Sequence, residues 1–293
     1  MTIRSSCDVC FAHSKWCVIL LLSLVPSVSQ ETSAQQAIAV SSKTNRTAVA
    51  DLKSEHPLDP ALRMANASLQ NLRENIHDYE AVFVKRCRVD GALPKLQYAN
   101  VKIRNRKVQA GQTTAPFSVY LNFLAPASVK GREVIWVEGR NNGNMVAHES
   151  GLKGMINVNL DPNGYLAMRG QRHPITEIGI ENLLVKLIET GSRDRQQGEC
   201  DVQFFSNAKI RDTACTMLQV VHHEKKDCFD FHIARVYFDQ SLNIPIRYES
   251  WSWPTTDGGQ PVLEEEYTYL NVNLNVGLRD SDFDIANPAY QFR

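Results

Sequence analysis

From Tyr79 onward the chain consists mainly of short segments in which apolar and polar residues alternate. Examples are YEAVFVKRCRV, LQYANVKIR, FSVYLNFLAP and GREVIWVEG. Such a period of two is typical of strands with one buried face. Turn signals such as Asp90-Gly91 and Asn142-Gly143 separate the segments, and Asn-Gly between two strand-like runs favours a hairpin. The pattern predicts an antiparallel meander of about ten strands.

Two amphipathic segments interrupt this pattern. In the first, apolar residues recur every three or four positions after Asp59 and Pro60, which we expect to act as N-cap and first helical residue. The second, EIGIENLLVKLIET, follows Pro174, and we expect it to stop at Gly191. A long meander must curl or close to protect its edges. We therefore predict an α+β fold, a curved antiparallel half-barrel wrapped around two helices, over residues 58–293.

The N-terminus has the features of a secretory signal. Arg4 and Lys15 precede the apolar run WCVILLLSLV, which is followed by small residues. About 10 apolar residues are too few to cross a bilayer, which needs about 20, so residues 1–29 are predicted to be a signal peptide. Residues 30–57 lack an apolar period and are predicted to be a flexible leader. We expect an exported protein, periplasmic or secreted, and peripheral to a membrane at most.

Charge and cysteine content limit the partners further. Thirty-two basic and thirty-two acidic side chains cancel, and without a basic excess we expect no nucleic-acid partner. Four cysteines remain after the predicted signal. Cys200 and Cys215 flank a segment that resembles a hairpin with a turn near Asn207. In an oxidising compartment they could form a disulfide, and free buried thiols are the alternative.

The motifs of common enzyme classes are missing from the sequence, including G-x-S-x-G, H-E-x-x-H, the P-loop and G-x-G-x-x-G. His148-Glu149 lacks a second histidine at helical spacing, and the adjacent His222 and His223 would point to opposite faces of a strand. Asp280, Asp282 and Asp284 lack the glycine and glutamate of an EF-hand loop. We expect a noncatalytic protein with no cofactor and no metal.

The run LEEEYTYLNVNLNVG near the C-terminus combines carboxylates with a strand pattern. With period two, Glu264 and Glu266 share a face that becomes apolar at Leu270, and this face is expected to meet a core or cavity. The two carboxylates could form an acid pair, or they could bind Arg247 on the preceding strand. The ion-pair interpretation is favoured, and these three residues form the predicted polar cluster.

Several long motifs resemble one family of bacterial exported proteins. The motifs are KRCRVDGAL, PFSVYLNFLAP, GREVIWVEGRN, AMRGQRHPITEIGIENL and EEYTYLNVNLNVGLRDSDFD. They resemble DUF1571, a family of unknown function, over residues 69–292. More distantly, the order and pattern of the strands resemble the lipoprotein-carrier superfamily (LolA/LolB-like). DUF1571 has no known activity, so the resemblance transfers no catalytic residue.

The superfamily resemblance implies a half-barrel whose apolar cavity holds an acyl chain, a lipid or a lipoprotein. The partner would then be an apolar small molecule or a lipidated protein. The alternative is a structural or regulatory module of the cell envelope that binds proteins through its sheet edge or helices. Trp251 and Trp253, near the end of the strand that precedes the last one, could line the mouth of a cavity or fill the core. The candidate cavity residues are apolar side chains of predicted strands: Phe117, Val119, Leu121, Phe123, Trp136, Trp251, Trp253, Leu270, Val272 and Leu274.

Overall fold

The computed structural model describes residues 55–149 and 156–292. The predicted signal peptide and nearly all of the predicted leader lie outside these residues. The helices are α1 (Asp59–Asn75), the short α2 (Tyr165–Met168) and α3 (Ile180–Gln197). Within the described ranges, none of the helices combines the length and apolar character needed to cross a membrane.

The strands form one large antiparallel sheet and one small hairpin. In the described part of the chain, the large sheet has eleven strands in the order β8-β7-β6-β5-β2-β1-β13-β12-β11-β10-β9, and β3 and β4 form a separate two-stranded sheet. The prediction of an α+β protein built on an antiparallel sheet is confirmed, with eleven strands where about ten were expected. The strands are β1 (Asp78–Cys87), β2 (Gln97–Arg104), β3 (Lys107–Gln109), β4 (Gln112–Ala115), β5 (Ser118–Ala125), β6 (Glu133–Val137), β7 (Met145–His148), β8 (Val158–Leu160), β9 (Asp201–Ile210), β10 (Thr213–Val221), β11 (Ile233–Asp239), β12 (Pro245–Ser252) and β13 (Val262–Leu274).

The large sheet is open and curved. Strands β6 and β10 lie seven positions apart in its order, which would separate them by about 34 Å in a flat sheet. Val134 of β6 and Leu218 of β10 nevertheless line the same cavity. The sheet must therefore bend around the helices, whose Leu72 and Leu184 are fully buried in the same core as the strands.

The start of α3 is bound to the sheet by two buried tyrosines. The backbone N–H of Gly179 donates to the hydroxyl of Tyr269 at 3.0 Å, and that of Ile180 donates to Tyr79 at 2.9 Å. These hydroxyls replace the usual capping side chain at the helix N-terminus. Gly179 has a φ of +116°, a conformation that residues with a Cβ rarely adopt.

The predicted helix ends need two corrections. The first helix begins at Asp59, so Leu58, and not Asp59, is its N-cap. The second continues through Gly191 and ends at Gln197. A Cβ on Gly191 would lie 3.1 Å from the Cδ2 atom of Leu62. Gly191 is thus a point of close approach between α3 and α1, not a helix stop.

The predicted disulfide between Cys200 and Cys215 is wrong. Both thiols are free and buried. The hairpin of β9 and β10 turns at Arg211-Asp212, not near Asn207, because Thr213 pairs with Ile210. Cys215 therefore lies opposite Ala208, whereas Cys200 precedes Asp201 at the far end of the hairpin. Eight residues of extended strand span about 26 Å, far beyond the reach of a disulfide.

Candidate functional site: a cavity between the sheet and the helices

A cavity of about 780 Å³ lies between the concave face of the large sheet and the helices. This volume is within the range of about 300–1,000 Å³ that is typical of small-molecule sites. Helices α1 and α3 contribute Leu62, Ala65 and Leu187, and several strands contribute further apolar side chains. These strand residues are Phe83, Leu121, Phe123, Val134, Met145, Leu218, Val220, Ala234, Val236 and Phe238.

Only two of the ten predicted cavity residues line this space, namely Leu121 and Phe123 of β5. Phe117, Val119 and Trp136 belong to the same core cluster but do not reach the cavity. The tryptophans near the end of β12 lie elsewhere. Trp251 packs under the guanidinium of Arg235, and Trp253 packs against His232.

In the first half of β13, the face that meets the cavity is the opposite of the predicted one. Glu265, Tyr267 and Tyr269 line the cavity, and Leu270, although buried, does not. Strand alternation then places Glu266 and Leu270 on the convex face. Sequence-based reasoning assumed that the face carrying Leu270 would meet the core.

A β-bulge at Asn271 restores the later residues to the concave side. The pairing of β1 with β13 passes from Val82↔Leu270 to Glu80↔Asn273, which leaves one extra residue in β13. Asn271 has a φ of +54°. Because the extra residue reverses the alternation, Val272 and Leu274 pack against the main core although Leu270 does not.

A polar group that we call the His173 cluster lines part of the cavity: Arg172, His173, Glu177, Glu265 and Tyr267. His173 Nε2 lies 2.9 Å from Glu265 Oε2, and its Nδ1 lies 3.1 Å from Glu177 Oε2. The Tyr267 hydroxyl donates to Glu265 at 2.9 Å, and Arg172 Nε is 3.7 Å from the same carboxylate. The cluster connects the loop before α3 to the middle of the sheet.

The pKa values in the His173 cluster follow from these contacts. The hydrogen bond to Glu265 raises the pKa of His173 against the opposing effect of burial. Burial favours a higher pKa for Glu265, but hydrogen bonding from His173 and the charges of His173 and Arg172 bring its pKa below the usual value. Burial raises the pKa of Tyr267 far above its usual range, so this phenol remains a hydrogen-bond donor.

A second polar group surrounds Asp194 of α3, which lines the cavity and is 1% exposed. Arg193 donates to Asp194 at 3.0 Å and to Asp230 at 2.9 Å. Burial raises the pKa of Asp194. His222 Nε2 lies 3.5 Å from Asp194 and has no hydrogen-bond partner among the described atoms. This distance is long for a hydrogen bond. The imidazole is held instead by the contact of its Nδ1 with the Phe231 carbonyl oxygen at 3.2 Å and by the rings of Phe229 and Phe231.

The predicted polar cluster of Glu264, Glu266 and Arg247 lies outside the cavity. Arg247 pairs with Glu266 and with Glu249, and Arg86 pairs with Glu266 from the opposite side. Glu264 does not pair with Arg247: it accepts hydrogen bonds from Ser252 and Arg172. Glu264 and Glu266 therefore meet different cations and do not form an acid pair.

Sequence reasoning missed most of the cavity's polar residues. His173 and Glu177 lie within the motif AMRGQRHPITEIGIENL, but a family of unknown function gives neither residue a role. Glu265 is the middle member of three glutamates, and the sequence does not show which of the three meets His173. Within the described ranges, no group of three or more His, Cys, Asp or Glu side chains is arranged to hold a metal ion.

An open antiparallel sheet curled over helices, with an apolar cavity between them, defines this protein as an α+β half-barrel. The chain belongs to the DUF1571 family, described as a protein of unknown function, whose model matches residues 76–292. The family resemblance of the sequence motifs is thus confirmed. No protein of curated function matches the chain.

Three solved structures similar to this chain cover about three quarters of it. One is a putative outer membrane lipoprotein-sorting protein domain from Vibrio parahaemolyticus (11% identity, 76% of this chain and 95% of that chain, TM-score 0.36). Another is lipoprotein LppX from Mycobacterium tuberculosis (13% identity, 77% and 100%, TM-score 0.41). The third is a LolA superfamily protein from Nitrosomonas europaea (12% identity, 75% and 97%, TM-score 0.29).

Proposed function

We propose that this protein is a noncatalytic binding protein that holds the apolar chain of a lipid or of a lipidated polypeptide in the cavity. The observation that carries the proposal is the space of about 780 Å³ lined by apolar side chains from both halves of the sheet and from α1 and α3. Removing an acyl chain from water into such a lining is favourable by about 0.8 kcal/mol per CH₂ group.

The distribution of polar residues fits an amphiphilic ligand. The His173 cluster and Asp194 line the same cavity as Phe83 and Leu218. A ligand with an apolar chain and a polar end could satisfy both kinds of surface, because buried polar groups need partners whereas apolar surface needs only contact. A fully polar ligand would leave the apolar lining without such contact.

The proposal includes a location. Residues 1–29 are proposed to direct export, and residues 58–293 are proposed to form the binding domain in the mature protein. A fusion of residues 1–34 to a reporter enzyme that is active only outside the cytoplasm tests this. We expect reporter activity, which should disappear when the apolar run 16–25 is interrupted by two arginines. Activity that survives this change would contradict the assignment.

Displacement of a fluorescent fatty acid tests binding. Ala147 of β7 lines the cavity, so Ala147→Trp should fill part of it and weaken binding by about tenfold or more, provided that the chain uses this space. Ala67→Trp is the control, because Ala67 lies on the exposed side of α1. Equal affinities of the two variants, with both folded by circular dichroism, would contradict a ligand site in the cavity.

A second candidate function is protein binding at the edge strand β9, as a structural or regulatory module of the cell envelope. This strand of ten residues ends the sheet, so one row of its backbone groups has no partner strand among residues 55–149 and 156–292. It also exposes two aromatic side chains, Phe204 (43%) and Phe205 (41%). A photo-crosslinking amino acid at position 204 should then capture a polypeptide in the host, and one at the exposed Tyr165 should not.

A further inference from the structure

The cations that line the cavity differ in their partners. Arg172 is paired with Glu264 and Glu265. Lys85 of β1 instead donates to the side-chain oxygen of Gln171, which is neutral. In the part of the chain that the structure describes, no carboxylate forms an ion pair with Lys85. Its ammonium is therefore a cavity-lining positive charge without a compensating negative one.

Arg132 places a second cation in the lining of the same cavity. Its terminal nitrogen pairs with Glu149, but its Nε is buried and has no hydrogen-bond partner among the described atoms. Burial lowers the pKa of Lys85, and the nearby positive charge of Arg132 lowers it further. Both cations line one cavity, and the charge of Arg132 repels that of Lys85.

This arrangement of cations is destabilising, and a bound ligand could remove the destabilisation. A partly buried ammonium group without a carboxylate partner is destabilising. An anionic oxygen group near Lys85 and Arg132 would neutralise the repulsion and accept charge-assisted hydrogen bonds. Phe83 and Leu121 line the same cavity, and Phe83 shares a strand face with Lys85. A polar headgroup and an apolar chain could therefore be bound side by side.

We propose that the ligand is an amphiphile with an anionic headgroup, a carboxylate or a phosphate monoester, that binds Lys85 Nζ and the guanidinium group of Arg132. This inference rests on the proposed function, because it assigns a chemistry to the polar end of the ligand held in the cavity. It also predicts selectivity against neutral amphiphiles, since an uncharged headgroup would leave the repulsion between the two cations in place.

Competition against a fluorescent fatty acid tests the headgroup on the unmodified mature protein. The competitors are hexadecanoate, hexadecyl phosphate, hexadecanol and inorganic phosphate. We expect the two anionic amphiphiles to bind about tenfold to a hundredfold more tightly than hexadecanol, as for a hydrogen bond to a charged group. Equal affinity of hexadecanoate, hexadecyl phosphate and hexadecanol would overturn the inference and leave the proposed function intact.

Two other results are equally decisive. If inorganic phosphate competes as well as hexadecyl phosphate, the site binds a free anion, and the proposal of an amphiphilic ligand is overturned. If none of the three chain compounds binds, the proposed function itself fails. The preference of hexadecanoate over hexadecyl phosphate, or the reverse, identifies which headgroup the site favours.

Substitutions then assign the preference to residues. Lys85→Met and Arg132→Met should each reduce the advantage of hexadecanoate over hexadecanol by about tenfold or more, while affinity for hexadecanol stays within about twofold. Lys186→Met is the matched control, because Lys186 also borders the cavity but is exposed. An unchanged advantage in folded Lys85→Met and Arg132→Met proteins would overturn the assignment. The ligand comparison on the unmodified protein needs no variant to fold.

Discussion

His173 and Glu265 join the loop before α3 to the longest strand of the sheet, with His173 Nε2 2.9 Å from Glu265 Oε2. The other ring nitrogen of His173 faces Glu177 at 3.1 Å. Because carboxylates accept at both nitrogens, the ring is bound best when both nitrogens carry a proton. The raised pKa of His173 expresses this preference for the cation.

The first prediction concerns stability at alkaline pH. The folded pKa of His173 lies above the ordinary value of 6.5, so the folded state binds more protons than the unfolded state between these two values. Stability from this contact is complete below pH 6.5 and is lost as the pH rises through the folded pKa. Urea unfolding should therefore show the free energy of unfolding falling above about pH 6.5. In His173→Gln this fall should be smaller, and an identical pH profile would contradict the role of the contact.

The second prediction concerns His222, for which stability changes with pH in the opposite direction. Burial lowers the pKa of His222 below 6.5, so the unfolded state binds more protons between the lowered pKa and 6.5. Stability should then rise with pH up to about 6.5. His222→Phe keeps an aromatic ring against Phe229 and should flatten the profile below about pH 6.5. A slope that is unchanged in this variant would contradict the assignment to His222.

The third prediction separates two neighbouring glutamates. Glu266 is 7% exposed and lies between Arg86 and Arg247. Glu266→Gln should lower the free energy of unfolding by about 1–3 kcal/mol, because two partly buried cations lose their shared carboxylate. Glu264→Gln is the control, since its partner Arg172 is more exposed, and should cost less than about 1 kcal/mol. Equal losses would show that the ion pairs of Glu266 with Arg86 and Arg247 have no special role in stability.

Much of the architecture could be predicted because it depends on local patterns. Alternation identified the strands, and spacings of three and four identified α1 and most of α3. Gly191 was misinterpreted because a glycine that ends a helix and one that allows close packing against Leu62 look the same in sequence. Only the tertiary contact distinguishes the two roles.

The cavity could not be predicted in the same way. Pattern-based reasoning carried one alternation through β13 and so placed Leu270, Val272 and Leu274 on one face, whereas the bulge divides them. His173 approaches Glu265 from a loop 92 residues away in sequence, and no local spacing encodes that contact. Lys85 was part of a recognised motif, but its lack of a carboxylate partner depends on the whole fold.

The fourth prediction tests the bulge that divides β13. Asn271 has a φ of +54°, which asparagine and glycine tolerate but β-branched residues do not. Asn271→Gly should be nearly neutral, and Asn271→Val should lower the free energy of unfolding by about 1–2 kcal/mol. Asn273→Val is the matched control, because Asn273 is also exposed on β13 but does not have a positive φ. It should stay within about 0.5 kcal/mol of the unmodified protein. If urea unfolding shows the same loss for both valine variants, side-chain polarity and not backbone conformation selects asparagine at position 271, and the bulge does not depend on it.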